Sequence, residues 1–194
     1  EAIGLDAIAI TDHDTVAGAR YALQCDTPVI VIPGIEISTR EGHLLALGVT
    51  EALPPGRDFL ETVALARARG ALLILPHPYH RWRHGVGRRL ATSIAAVDAV
   101  EIFNSRYITG SANRRAAISA QRYGKPGVAG SDAHNARYVG FGVTYVASEP
   151  DVDSILSAIR EGRTMVGGKM TPLHTYTQQS IKSALRRIRR TVDR

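Results

Sequence analysis

The sequence predicts an α/β fold with mainly parallel strands, and three observations carry that expectation. Short apolar runs alternate with helix-like segments along the whole chain, the pattern of a parallel sheet or barrel. Four of those runs lead straight into imidazole or carboxylate residues. The composition, 44% hydrophobic and 22% charged over 194 residues, suits one globular domain that folds around its own core.

The first strand, Ala7 to Thr11, opens onto Asp12-His13-Asp14 and a helix over Val16 to Gln24. Val29 to Ile32 forms the second and leads through Pro33-Gly34-Ile35 to Glu36, and His43 to Gly48 forms the third. After the turn at Pro54-Pro55-Gly56, Asp58 caps a helix over Phe59 to Arg69 that Gly70 ends. Ala71 to Leu75 then runs into Pro76-His77-Pro78, and the stretch from Pro78 to Arg89 is irregular. Ala99 to Phe103 leads to Asn104-Ser105-Arg106, followed by a helix over Ala112 to Tyr123 stopped by Gly124. Gly127 to Gly130 ends at Ser131-Asp132-Ala133-His134, Val143 to Ala147 is the last strand, and Asp151 precedes a helix over Val152 to Glu161. Gly167 to Thr177 reads as a linker.

Composition narrows the function classes. The lone Cys25 excludes an intramolecular disulfide framework and a Cys-rich zinc module, and points to the cytoplasm as the expected location. No apolar run approaches the roughly 18 residues that span a bilayer. The opening Glu1-Ala2-Ile3-Gly4-Leu5 lacks an initiator Met, a basic n-region and an apolar h-region, so the sequence reads as starting inside a longer one, without a signal peptide. The net charge of +6 is concentrated: Lys182 to Arg194 holds six cations and one anion, leaving +1 on the other 181 residues. Ile181, Leu185, Ile188 and Val192 recur at helical spacing among those arginines. Such a helix docks on its own domain or a second subunit, lies on an anionic membrane, or contacts nucleic-acid phosphate.

In parallel barrels and open α/β sheets the C-terminal strand ends share one rim, where ligands gather. His13, Glu36, His77, Asp132 and His134 therefore converge from four strands. Imidazole and carboxylate without thiolate suit Zn²⁺, Mn²⁺ or Fe²⁺. A carboxylate that bridges two such ions, roughly 3.5–4 Å apart, serves metal-assisted phosphoester hydrolysis. Each residue also has an ordinary alternative: a histidine hydrogen-bonded in a loop, Asp12 as a helix cap, Asp132 as a turn residue.

Ile10-Thr11-Asp12-His13-Asp14, Pro33-Gly34-Ile35-Glu36-Ile37-Ser38, Leu75-Pro76-His77-Pro78, Val100-Glu101-Ile102-Phe103-Asn104-Ser105-Arg106 and Gly130-Ser131-Asp132-Ala133-His134 resemble, in that order, successive motifs of the polymerase and histidinol phosphatase (PHP) family. The resemblance covers residues 1 to 168 and leaves 169–194 as a linker and basic amphipathic helix. It implies a distorted TIM-like (β/α)7 barrel with two or three divalent ions (Mn, Zn or Fe) at its mouth. Such proteins open on a strand bearing His-x-His, which nothing here matches, so the barrel is expected to lack its first strand and most of its first helix. By matching motif, Glu36 bridges two ions, Asp132 joins it on one, His77 sits on the other, and His13 and His134 hold a third. Asp12 orients ligands rather than binding metal. Where some members place a further His after the Asn-Ser motif, this chain reads Arg106-Tyr107-Ile108-Thr109.

His43 resembles a recurring family position that touches substrate or supports a ligand; its alternative is a satisfied histidine at a strand edge. Arg81, Arg83, Arg88 and Arg89 surround Trp82 in a loop that either grips phosphate oxygens or is a solvated basic surface held down by Trp82. Arg106 is the better-placed phosphate contact, next to Asn104. The expected activity is hydrolysis of a phosphomonoester or nucleotide by a metal-activated water, with Glu36, Asp132 and His43 as the catalytic positions. Rival readings are a nuclease or nucleotide bisphosphate phosphatase acting on nucleic-acid ends, and a non-catalytic binding module that uses the basic tail. The expected partner is a small phosphorylated substrate or nucleotide, with nucleic acid and a second copy of the chain as further candidates.

Overall fold

Alternating burial gives the strands two different faces, and the site lies at one end of one of them. The computed structural model describes residues 3–79, 89–107 and 109–172. The strands β1 (Ala7–Ile10), β2 (Ile30–Ser38), β3 (His43–Leu47), β4 (Leu72–Leu75), β5 (Ala99–Asn104) and β6 (Gly127–Gly130) form a curled six-stranded sheet in sequence order. A separate two-stranded ladder joins β7 (Gly142–Val146) to β8 (Thr164–Gly168). The helices are α1 (Ala17–Ala22), α2 (Phe59–Arg67), α3 (Leu90–Ala96), α4 (Gly110–Arg122) and α5 (Val152–Arg160).

One face of the sheet carries Ile35, Ile37, Leu44, Leu73, Leu75 and Val100, packed with Phe59 and Val63 of α2, Ile94 of α3 and Ala120 of α4. The alternate positions Ile32, Leu47, Leu72, Ile74, Ala99 and Val128 face the other way and are covered by Ile155, Leu156 and Ile159 of α5. This second face carries Glu36 and His43 by the same period of two. Apolar packing against α5 thus gives way to polar groups towards the end of the strands.

The expected α/β class is present, but the ladder is mixed. β1 with β2, β4 with β5 and β5 with β6 are parallel; β2 with β3, β3 with β4 and β7 with β8 are antiparallel. The six strands run from β1 at one edge to β6 at the other, so the described residues form a curled half-barrel sheet. β2 runs nine residues, well past the expected end at Ile32. It pairs with β1 from Ile30 to Pro33 and with β3 from Gly34 to Ser38, so Pro33, which has no N–H to give, sits where the ladder changes partner. A Cβ at Gly34 would stand 2.8 Å from Leu47 Cδ2 and 2.9 Å from the Ala46 carbonyl; only glycine lets these strands approach so closely.

Boundary chemistry follows the sequence. Asp58 accepts from the Leu60 N–H and Asp151 from the Ser154 N–H, while Gly70 and Gly124 take positive φ beyond α2 and α4. Three elements are additional to the expected ones: α3, β8 and a 3₁₀ turn at Ala136–Tyr138. Residues 169–172, expected as the start of a linker, pack on the domain: Lys169 donates to the Phe141 carbonyl at 2.8 Å and buried Thr171 to the Ser105 carbonyl at 2.6 Å. The tail from 173 to 194, and Arg81, Trp82, Arg83 and Arg88, lie outside the described residues. Among the described residues no helix is long and apolar enough to cross a membrane.

Candidate metal centre

Register builds the first half of the site. The β1–β2 ladder, Ile10 opposite Pro33, continues in step to an isolated bridge between His13 and Glu36. In the β2–β3 hairpin Leu45 lies opposite Glu36 and His43 opposite Ser38, which makes His43 the diagonal neighbour of Glu36 on one face. His43 Nδ1 is accordingly 2.8 Å from Glu36 Oε1. His77, just beyond β4, brings Nε2 to 3.1 Å from the same oxygen. His13 Nε2 approaches Oε2 at 3.7 Å. Ligand atoms of His13, Glu36 and His43 all lie within 4.8 Å of one another.

Asp14 holds this arrangement together. Its Oδ1 accepts from the Ser38 N–H at 2.7 Å, and its Oδ2 from the Ser38 hydroxyl at 2.8 Å. Asp14, His77 and Asp132 are the non-glycine residues with positive φ among the described residues, at 56°, 31° and 47°. All three stand beside the site, where strain of ~1–3 kcal/mol each is tolerated because the surroundings fix the geometry. Asp14→Ala removes two hydrogen bonds and leaves a residue ill suited to φ of 56°. A loss of ~2 kcal/mol in urea unfolding is expected, with Asp14→Asn retaining about half of it.

The second half depends on an irregularity in β5. The β5–β6 register shifts between Glu101 and Phe103, and the extra residue lets side chains three apart meet on one side. Asn104 Nδ2 then donates to Glu101 Oε2 at 3.0 Å. The same oxygen accepts the His77 N–H at 2.7 Å, tying β5 to the loop that carries His77. Asn104 Nδ2 also lies 3.4 Å from Asp132 Oδ2. Arg106 Nη1 is 3.3 Å from Asp132 Oδ1 and 2.6 Å from His134 Nδ1.

Charge is managed by these contacts. Burial by itself pushes Glu36 up, but hydrogen bonds from His43 and His77, with the charges of His77 and His13, outweigh it and hold the carboxyl well below its ordinary range. Burial opposes a charge on His77, yet the Glu36 hydrogen bond and the nearby Glu101, Glu36 and Asp132 carboxylates raise it above an ordinary imidazole. Glu101 is fully enclosed; burial dominates and pushes it up to about 7, against His77 and Asn104, which favour its charged form.

The sequence-derived residues fall into two groups. His13, Glu36, His43 and His77 converge on one carboxylate, and Asp132 with His134 converges on Arg106. His43, expected as a substrate contact or ligand support, stands inside the donor cluster. Asn104, expected to touch substrate, is 1% exposed and its amide is engaged by Glu101, Asp132 and the Arg106 N–H; it braces the site from behind. Arg106 is buried at 4% exposed, with its guanidinium directed at protein groups. Asp12 is exposed, with its carboxylate packed against Gly18, where a Cβ would meet Oδ2. Asp14 and Glu101 were not singled out by the sequence reading; the signal for Glu101 was a carboxylate embedded in an apolar strand, which demands partners.

The donor chemistry, two imidazoles and a carboxylate with a third imidazole on the same oxygen, fits a borderline divalent ion. Comparison with known proteins bears on the family. A model described as PHP-associated matches residues 110–164, the segment that carries Asp132 and His134. The fold matches PsfC from Pseudomonas syringae at a TM-score of 0.69 and 16% identity, over 93% of this chain and 84% of that one. It also matches, at 0.67 and 18%, a two-domain Bacteroides vulgatus protein containing a predicted PHP-like metal-dependent phosphoesterase, over 86% of this chain and 57% of that one. The fold is that of PHP-like proteins, and residues 110–164 match the PHP-associated model. The uncharacterized protein MJ1587 of Methanocaldococcus jannaschii is 35% identical over 112 residues, which span 57% of this chain and 64% of that protein.

Proposed function

We propose that the protein is a metal-dependent phosphoesterase acting on a small phosphomonoester or a nucleotide. The observation that carries this reading is the convergence of His13, His43 and His77 on the Glu36 carboxylate. A divalent ion held there supplies Lewis acidity and a water acidic enough to serve as nucleophile near neutral pH. Glu36 contributes a carboxylate that stays ionised across the working range, fixed by two imidazoles. His77 and Glu36 are buried whereas His13 is 46% exposed in its side chain, so the donors line a wall that opens towards His13. Substrate enters on that side.

The test is a panel of phosphomonoesters and nucleotides offered to the protein with Mn²⁺, Zn²⁺ or Fe²⁺, before and after chelation. Hydrolysis that disappears with chelator and returns with metal is expected. Absence of hydrolysis across the panel with metal bound would leave the protein as a binding module and overturn the reading.

A further inference from the structure

The Asp132–His134 half of the site differs in kind from the Glu36 half. Around Glu36 the neighbours are imidazoles, which have lone pairs to give. Around Asp132 a guanidinium stands beside the one imidazole, both 3.3 Å from Oδ1. Arg106 Nη1 lies 3.3 Å from Asp132 Oδ1, and 2.6 and 3.2 Å from the two ring nitrogens of His134. Arginine carries no lone pair and stays protonated, and it stands against the same His134 Nδ1 that lies 3.0 Å from the Asp132 carbonyl oxygen.

Nor is Arg106 free to swing aside. Its N–H is held by Asn104 Oδ1 at 2.8 Å. The preceding Ser105 is fixed through its N–H to the Gly130 carbonyl at 3.1 Å and through its hydroxyl to the Ser131 carbonyl at 2.7 Å. Only 4% of the residue is exposed, so the charge cannot be handed to water without rearranging β5 and β6. A buried guanidinium needs a counter-ion, and Asp132 is in place to provide it. A divalent ion bonded to Asp132 Oδ1 and His134 would sit at contact distance from this fixed positive charge.

We propose that the Arg106 guanidinium is the built-in cation of the Asp132–His134 half, so that divalent ions are held by Glu36 with His13, His43 and His77 and not by Asp132 and His134. The proposal rests on the metal-binding reading above and narrows it: the chain takes fewer ions than its family resemblance implies, and a fixed arginine completes the charge that the remaining ion begins.

The experiment is Mn²⁺ and Zn²⁺ stoichiometry on chelator-stripped protein, by calorimetric titration and by metal analysis after desalting. Wild type, Arg106→Met, Arg106→Lys, Asp132→Asn and the Arg106→Met/Asp132→Asn double variant are compared, with circular dichroism to confirm folding. Arg106→Met is expected to bind one more equivalent than wild type, and the double variant to lose that gain. Arg106→Lys and Asp132→Asn are expected to match wild type, the first because it keeps the cation. Equal stoichiometry in wild type and Arg106→Met, or loss of one equivalent on Asp132→Asn alone, overturns the proposal while leaving metal binding at Glu36 intact. If neither wild type nor Arg106→Met binds an ion, both this proposal and the metal-binding reading fall.

Discussion

Glu36→Gln is expected to lower phosphoester hydrolysis by at least ~10³-fold, about 4 kcal/mol of transition-state stabilisation, and to weaken metal binding in parallel. The carboxylate is the common partner of three imidazoles: His43 at 2.8 Å, His77 at 3.1 Å and His13 at 3.7 Å. Gln keeps the shape and one acceptor oxygen but removes the negative charge that a divalent ion would meet. His77, 3% exposed, then loses the partner chiefly responsible for raising its proton affinity. Breaking a buried ion pair by removing one member costs ~3–5 kcal/mol, so the chelated variant should also unfold at lower urea concentration, most clearly where His77 is protonated. Glu36→Asp separates the two effects: it restores the charge but retracts it from the imidazoles. It should recover the urea midpoint at acidic pH more fully than it recovers turnover. Steady-state rates on the best substrate, metal titration and urea unfolding at pH 6 provide the three readouts. Full activity in Glu36→Gln would remove the basis of the functional reading.

The donors were legible because strand-end chemistry needs no knowledge of which strands pair. Ile10 to His13, Val31 to Glu36, Leu75 to His77 and Gly130 to Asp132 each show an apolar run meeting a polar terminus, whatever the sheet order. Their grouping was not legible. The diagonal contact of His43 with Glu36 requires the antiparallel hairpin register, and Thr39-Arg40-Glu41-Gly42 carries no two-residue turn signal that announces it. Pro33-Gly34 looked like the end of a strand and is instead the point where β2 changes partner. β8 reads Thr164-Met165-Val166-Gly167-Gly168, with two glycines where a strand prefers β-branched residues; its pairing with β7, not its propensity, makes it a strand. The meeting of Glu101 with Asn104 depends on a bulge, and a spacing of three within a strand predicts opposite faces. Pairing Arg106 with Asp132 needs that bulge as well, because the loop after β5 starts from the shifted register. What the sequence hides is therefore pairing register, a long-range property, whereas strand ends and helix caps are local.

Glu101 gives the second large effect, on stability against pH. In the chelated protein its carboxyl is pushed up to about 7 from 4.5 by burial, so between those values the folded chain holds a proton that the unfolded chain releases. Stability must then fall as pH rises through that window, by up to ~3 kcal/mol at 1.36 kcal/mol per unit. His77 acts in the same direction, being raised above 6.5: its contribution is complete below the unfolded value and is lost as pH climbs through the folded one. Glu36 acts oppositely, because a lowered carboxyl stabilises above its unfolded value of 4.5 and loses that contribution only as pH falls towards its depressed one. The chelated chain should accordingly be most stable near pH 5 and weaken steadily towards pH 8. Glu101→Gln removes the ionisation while leaving an oxygen to accept the His77 N–H and Asn104 Nδ2. A fixed cost from imperfect packing is expected at every pH, so the informative quantity is the difference between variant and wild type. That difference should shift in favour of the variant by ~2–3 kcal/mol between pH 5 and pH 8 in urea unfolding. A constant difference would mean that Glu101 is ionised throughout, compensated by His77, and that the slope belongs to His77 alone. Glu101→Ala supplies the contrast: it leaves the His77 N–H buried without its acceptor, so it should be less stable than Glu101→Gln at every pH, by ~1–3 kcal/mol.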